Sequence, residues 1–203
     1  MERSWRIGSA IVALIAVLIL ELSAAPPASG GAPTEQIRAH VEKVYRLGGT
    51  GDRRSEVRKV IDEMFDWTEM ARQSLGQQWG RRTPTERAEF VRLFADLFEH
   101  AYLSKIQLTD ADKFKYLDET IEDNSAVVRT KVITRQGGEI AVDYKARREG
   151  STGWKVYDLD IEGVSLVTNY RSQFNSIIAR SAYEGLVQRL KMAEEKRLRQ
   201  SGF

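Results

Sequence analysis

The chain has 203 residues, 42% of them hydrophobic and 30% charged, which is enough apolar content for one packed domain and too much for a disordered chain. The formal net charge of +2 is too small for the concentrated basic footprint of a nucleic-acid binder. There is no cysteine, which removes disulfides, thiolate catalysis and cysteine metal sites together, without deciding the compartment.

The N-terminus reads as a targeting segment. Arg3 and Arg6 precede an apolar run over residues 11–20, and Ser23, Ala24 and Ala25 supply the small residues of a cleavage site. The run is shorter than the roughly 20 residues a spanning helix needs. Pro26 is a poor first mature residue, which moves the expected cut toward Gly30 or Ala32. No cysteine follows the run, so a lipoprotein anchor is excluded. The expected organisation is a signal peptide and leader tail over residues 1–32, then a single domain over residues 33–203 exported by cleavage of that leader.

The first half of the domain is helical. Ile37, Val41 and Val44 share one face, and a turn follows at Gly48, Gly49, Thr50 and Gly51. Val57, Val60, Ile61, Met64 and Phe65 repeat the helical spacing. Asp66 with Glu69 predicts a helix start, continued by Trp67, Met70, Ala71, Ser74, Leu75 and Trp79. Thr83, Pro84 and Glu86 form the clearest start: a capping hydroxyl, a proline at the first helical position and a glutamate closing the capping box. The helix they open carries Phe90, Leu93, Phe94, Leu97, Phe98, Ala101 and Tyr102 on one broad stripe.

The periodicity then changes from helical to alternating. Phe114 and Tyr116, with Leu117 beside them, open a first extended run. Ala126, Val128, Thr130 and Val132 alternate with Val127, Arg129, Lys131 and Ile133 up to a tight turn at Gln136, Gly137 and Gly138. Ile140, Val142, Tyr144 and Ala146 form a half-buried third strand, a second turn spans residues 149–153, and Trp154 to Ile161 is the fourth. Helical spacing returns at Leu166, Val167, Tyr170, Phe174, Ile177 and Ile178. Ser181 and Glu184 predict a second capping box opening a final helix through Leu186 and Leu190, whose charged end over residues 194–199 is expected to fray. The predicted fold class is α+β: N-terminal helices, a four-stranded antiparallel meander and C-terminal helices, with the helices on one face of the sheet.

Candidate chemistry is sparse. His40 and His100 have no metal-ligand spacing, no nucleophile signature occurs, and the glycines at 48–51 lack the ending of a phosphate loop. Asp158 or Asp160, near Glu162, with Tyr144 or Tyr157 could form the general base and oxyanion donor of an isomerase-like site, against a plain reading as a solvated strand face.

Two blocks of sequence carry a resemblance. Phe65, Asp66, Trp67, Thr68, Glu69, Met70 and Ala71, then Leu75, Gly76 and Trp79, resemble the N-terminal signature of the MlaC-type carriers, the toluene-tolerance family. Thr83, Pro84, Glu89, Phe90, Leu93 and Phe94 fit the helix that follows in that family. Trp154, Lys155, Val156, Tyr157 and Asp158, then Ile161, Glu162, Gly163, Val164, Ser165 and Leu166, then Asn169, Tyr170, Arg171, Ser172, Gln173 and Phe174, form the more specific second block. Together they span roughly residues 35–195.

The resemblance implies a periplasmic phospholipid carrier working between an outer-membrane lipoprotein complex and an inner-membrane ABC transporter with an MCE-domain subunit. It implies an NTF2-like cone with acyl chains in an apolar cavity between sheet and helices, no catalytic residue and no cofactor beyond the cargo. A hopanoid-associated branch leaves a hopanoid lipid as an alternative cargo. A diacyl lipid has about 30 methylenes, each worth about 0.8 kcal/mol on leaving water, so gross burial is on the order of 20 kcal/mol. Release therefore needs a partner, and Arg81, Arg82, Arg147 and Arg148 are candidates for docking. The expected pocket lining is Leu93, Phe94, Leu97, Phe98, Val128, Val132, Val142, Tyr144, Trp154, Val156, Val164, Tyr170, Phe174 and Ile177. An NTF2-like enzyme with a pocket carboxylate, and a pure interaction module with a filled core, remain the competing readings.

Overall fold

Both strong helix starts form as their side chains dictate. A computed structural model describes residues 32–47, 53–106, 109–134, 136–150 and 153–200. Residues 1–31 of the expected signal peptide and leader, the turn at residues 48–51, and Ser151 and Thr152 of the second hairpin turn lie outside the described residues, while Ala32, the last residue of the expected leader, is already helical. The helices are α1 (Ala32–Leu47), α2 (Arg54–Met64), α3 (Trp67–Leu75), continued by a short 3-10 turn (Gly76–Arg81), and α4 (Pro84–Ile106). Asp66 accepts the Glu69 amide at 2.9 Å to cap α3. Ahead of α4, the Glu86 carboxylate accepts the Thr83 amide at 2.7 Å, and the Thr83 hydroxyl accepts the Glu86 amide at 3.3 Å. That reciprocal pair satisfies two donors that a helix start otherwise leaves open. Pro33 sits buried in the first turn of α1, where a proline costs no hydrogen bond.

The sheet is a meander in the order β1 (Thr109–Glu122), β2 (Ser125–Thr134), β3 (Glu139–Arg148), β4 (Trp154–Ile161) and β5 (Val164–Ser165). Among the described residues the four expected strands are present in the expected order, and the four-strand count is corrected to five. Glu162 at φ 53° and Gly163 at φ 78° turn the chain back tightly enough for Val164 and Ser165 to pair with Ile161 and Asp160. Two residues are too few to show an alternation, so β5 leaves no periodic signal. Leu117 is an extra residue in β1, because Tyr116 pairs with Thr130 while Asp118 pairs with Arg129. This bulge leaves Leu117 exposed and brings Glu119 opposite buried Val128.

The apolar set of the sheet faces the helices. Ala126, Val128 and Thr130 on β2, Val142, Tyr144 and Ala146 on β3, and Trp154, Val156 and Leu159 on β4 are all buried. The opposite face carries cross-strand ion pairs, with Lys115 and Lys131 both 2.8 Å from Glu139. Helix α5 (Leu166–Gln200) returns across β4 and packs on α3 and α4. Arg58 ties α2 to α4 by donating to Asp96 at 2.6 Å and to Glu99. Burial works against its charge, but these carboxylates outweigh it and raise its pKa above the usual value.

Helix α5 is broken where a second helix start was expected. Ser181 (φ −142°, ψ 20°) and Ala182 (φ 55°, ψ −177°) leave helical geometry. The capping detail differs: the Ser181 hydroxyl donates back to the Ile177 carbonyl at 3.0 Å. Beyond the break the helix continues to Gln200, and it is tied to α4 as far as Glu194, where Arg92 reaches Glu194 at 2.6 Å and Lys191 reaches Glu89 at 2.6 Å. Ala182 occupies a region that essentially only glycine adopts, at a cost of about 1–3 kcal/mol. Ala182→Gly is therefore expected to stabilise the fold by about 1 kcal/mol, after the extra chain entropy of glycine is subtracted. Thermal unfolding should show a rise of about 2–4 °C; a fall would mean that the break does not hold this conformation.

Candidate functional site

Helix α1 is held over the inner face of the sheet at its N-terminal end. The Glu119 carboxylate, turned inward by the β1 bulge, accepts the Thr34 amide at 3.1 Å and the Thr34 hydroxyl. This places a negative charge at the positive end of the helix. Two residues on, the Gln36 side chain donates to the Trp154 carbonyl at 3.1 Å and accepts the Trp154 amide at 2.9 Å. Gly153, at φ 102°, makes room for that contact, because a Cβ there would collide with Gln36 Oε1.

The C-terminal half of α1 stands over β1, with a cavity between them. It has a volume of about 570 Å³ and is lined by Arg38, Val41, Glu42, Tyr45 and Arg46 of α1 and by Phe114 and Tyr116 of β1. Phe114 and Tyr116 pair with Val132 and Thr130, so they point to the helix side of the sheet. Tyr45 meets Phe114 edge to face at 5.1 Å between ring centroids. The Arg38 guanidinium lies over the Tyr116 ring at 4.6 Å. Val41, Phe114 and the tyrosine rings supply its apolar lining, and Arg38, Glu42 and Arg46, at four-residue spacing on α1, supply its charged lining. The volume falls within the range of ordinary small-molecule pockets, roughly 300–1,000 Å³. Among the described residues, no group of three histidine, aspartate or glutamate side chains could hold a metal ion.

The residues expected to line a lipid cavity lie mostly in the buried interior between sheet and helices. Leu93, Phe94, Phe98, Val128, Val132, Val142, Tyr144, Trp154, Val156 and Phe174 are buried members of one continuous core, and Leu97, Tyr170 and Ile177 are half-buried against it. Val164 is 54% exposed on β5. The structure brings Phe94, Tyr170 and Phe174 together, with Phe94 5.4 Å from Tyr170 and Tyr170 5.5 Å from Phe174. Burial pushes the Tyr170 phenol above its usual pKa. None of the fourteen lines the α1–β1 cavity. Of the cavity residues, Val41, Phe114 and Tyr116 are apolar positions of predicted elements. The available signal was the arginine pair Arg38 and Arg46 flanking that apolar face on α1.

Asp158 is committed to the fold. It is 5% exposed, and it accepts the Val167 amide at 3.1 Å, the Ser165 hydroxyl at 2.7 Å and the Lys145 ammonium at 3.2 Å. It thus caps the start of α5, while Asp160 sits 3.8 Å from Lys145 and Tyr144 is buried in the core. Asp158→Ala removes the acceptor from a helix amide, a hydroxyl and a half-buried ammonium. The expected loss is about 3 kcal/mol in urea unfolding, and a loss below about 0.5 kcal/mol would contradict the capping role. Three of the four candidate docking arginines are engaged within the chain. Arg82 lies over Tyr183 at 4.4 Å, Arg148 over Trp154 at 4.9 Å, and Arg147 donates to Asp66 at 2.6 Å.

A five-stranded antiparallel meander with helices on one face, and a pocket between its first strand and α1, makes this an α+β domain with a cleft between its layers. The family model described as MlaC protein matches residues 36–192, and the chain belongs to that family. The fold is similar to a solved structure of a phospholipid-binding protein from Ralstonia solanacearum in complex with a phospholipid, with a TM-score of 0.66 and 25% sequence identity. The match covers 83% of this chain and 98% of that one.

Proposed function

We propose that this protein is a non-enzymatic carrier that shelters the acyl chains of a phospholipid from water. The observation that carries the reading is the half-open cavity of about 570 Å³ between α1 and β1, lined by both apolar and charged side chains. Such a lining suits an amphiphile, whose tails gain about 0.8 kcal/mol per methylene on burial while the head group keeps its water. The family membership and the phospholipid held by the Ralstonia protein of the same fold support the same reading. The N-terminal pattern of Arg3, Arg6 and the apolar run supports export to the periplasm. In that compartment the carrier would exchange lipid with an inner-membrane ABC transporter bearing an MCE-domain subunit and with an outer-membrane lipoprotein complex, the partners its family resemblance implies.

The test is native mass spectrometry with solvent extraction on protein purified without detergent. A bound mass equal to one diacyl phospholipid is expected. A ligand-free mass, with no uptake from labelled phospholipid vesicles, would overturn the carrier reading. A bound hopanoid would keep the carrier and replace the cargo.

A further inference from the structure

We propose that α5 has two forms: the bent helix of the monomer, and a continuous helix whose C-terminal arm, residues 183–200, docks on α4 of a second copy of this chain. The partner is an identical chain, and the exchange is reciprocal, each copy lending its arm to the other.

The break in α5 is not dictated by its local sequence. Residues 178–184 hold neither glycine nor proline, and two of them, Ala179 and Ala182, are the best of helix formers. Ala182 nevertheless sits at φ 55° and ψ −177°, a costly conformation for any residue with a side chain. Gly185 shows the same constraint from the other side of the bend. A Cβ there would lie 2.6 Å from the Ser181 Cβ and collide with the Ser181 hydroxyl. In a continuous helix, residues four apart keep their Cβ atoms about 5–6 Å apart. The bend, not the helix, requires a glycine at position 185.

Docking of the arm is what holds the bend. Tyr183, Leu186, Val187 and Leu190 are buried. The Tyr183 hydroxyl donates to the Glu86 carbonyl at 3.2 Å, and Arg82 lies over the Tyr183 ring. Lys191 reaches Glu89, and Arg92 reaches Glu194. These polar partners all come from α4 and the residues just before it. Ahead of the break, Val167, Tyr170, Phe174, Ile177 and Ile178 pack on the core. At about 100° per residue, the two apolar sets fall about half a turn apart on a straight helix. A straight α5 therefore cannot seat both sets on one body. It turns the second set outward, and the surface that fits that set is α4 of another copy. The swap re-forms these contacts and relieves the strain of two bends, against the entropy of association.

The chain contains no cysteine, so one engineered pair reports the exchange. Arg92→Cys combined with Glu194→Cys is refolded from urea over a range of protein concentrations and joined by a short bismaleimide. On a denaturing gel, an arm seated on its own body runs as a monomer, and a swapped arm runs as a covalent dimer. Light scattering on chains without the pair gives the dimerisation constant. Gly185→Ala is expected to raise that constant about tenfold or more, because each dimer contains two straightened bends. Ala182→Gly is expected to lower it about tenfold, because glycine accepts the bend without strain. Dimers that the cross-linker leaves as single chains overturn the proposal. So does a constant unchanged in both variants, or monomer alone at every concentration in the wild-type chain and Gly185→Ala. If Gly185→Ala yields no folded protein, the wild-type chain and Ala182→Gly decide between them. A covalent dimer abundant in the first and depleted in the second supports the swap, and monomer in both overturns it.

Discussion

Val41→Trp is expected to remove most lipid from the purified protein while leaving it folded. Val41 is 4% exposed, but its side chain borders the cavity as well as the core. A larger side chain there has empty volume to enter, whereas the same change in a filled core typically costs 1–3 kcal/mol through strain. The lipid meets the opposite situation. An indole in the cavity displaces tail, and two methylenes forced back into water cost about 1.6 kcal/mol, already more than tenfold in affinity. Native mass spectrometry before and after substitution reads the occupancy, and thermal unfolding reads the fold. Full occupancy in a folded Val41→Trp protein would show that the cargo sits somewhere other than between α1 and β1.

Phe94→Ala is expected to act in the opposite sense, on the fold itself. The Phe94 ring is fully buried and within about 6 Å of Phe90, Phe98, Tyr170 and Phe174, measured between ring centroids. Truncation removes the transfer energy of the ring and leaves a void that four aromatic neighbours on two helices fill only in part. Phe→Ala substitutions of this kind cost about 3–5 kcal/mol. Denaturant unfolding should show a lower midpoint with little change in slope. The result also discriminates between two arrangements of the interior. If Phe94 faced a lipid cavity, shortening it would change lipid occupancy and barely touch stability. A loss below about 1 kcal/mol together with altered lipid binding would return Phe94 and its neighbours Tyr170 and Phe174 to the pocket wall.

The two substitutions mark how far patterning reaches. Local chemistry was legible wherever a bond closes within a few residues. Asp66 capping α3, Thr83 and Glu86 opening α4, and the Gly137 amide bonded to the Thr134 carbonyl at 2.9 Å were all readable. Alternation along β2 and β3 was legible because the pleat puts every second side chain on one face. It failed at Leu117, where one inserted residue reverses the facing of the rest of β1, and at Val164 and Ser165, a strand too short to alternate. The ties that dock the last part of α5 were illegible for a different reason. The partners Arg92 and Glu89 that hold it lie about a hundred residues away.

What the sequence by itself determined was the order and type of the long elements, the helices on one face of an antiparallel meander, and the family, carried by the blocks around Phe65 and Tyr170. Only the tertiary structure decided which apolar residues touch one another and which border a cavity. Periodicity reports that a side chain turns away from water, and Phe94 and Val41 satisfy that condition equally. A cavity is a shortfall of packing between surfaces that come from distant parts of the chain. Here those surfaces are Arg38 to Arg46 on one side and Phe114 and Tyr116 on the other, joined by Glu119 reaching across to Thr34. No property of either segment alone encodes the gap between them.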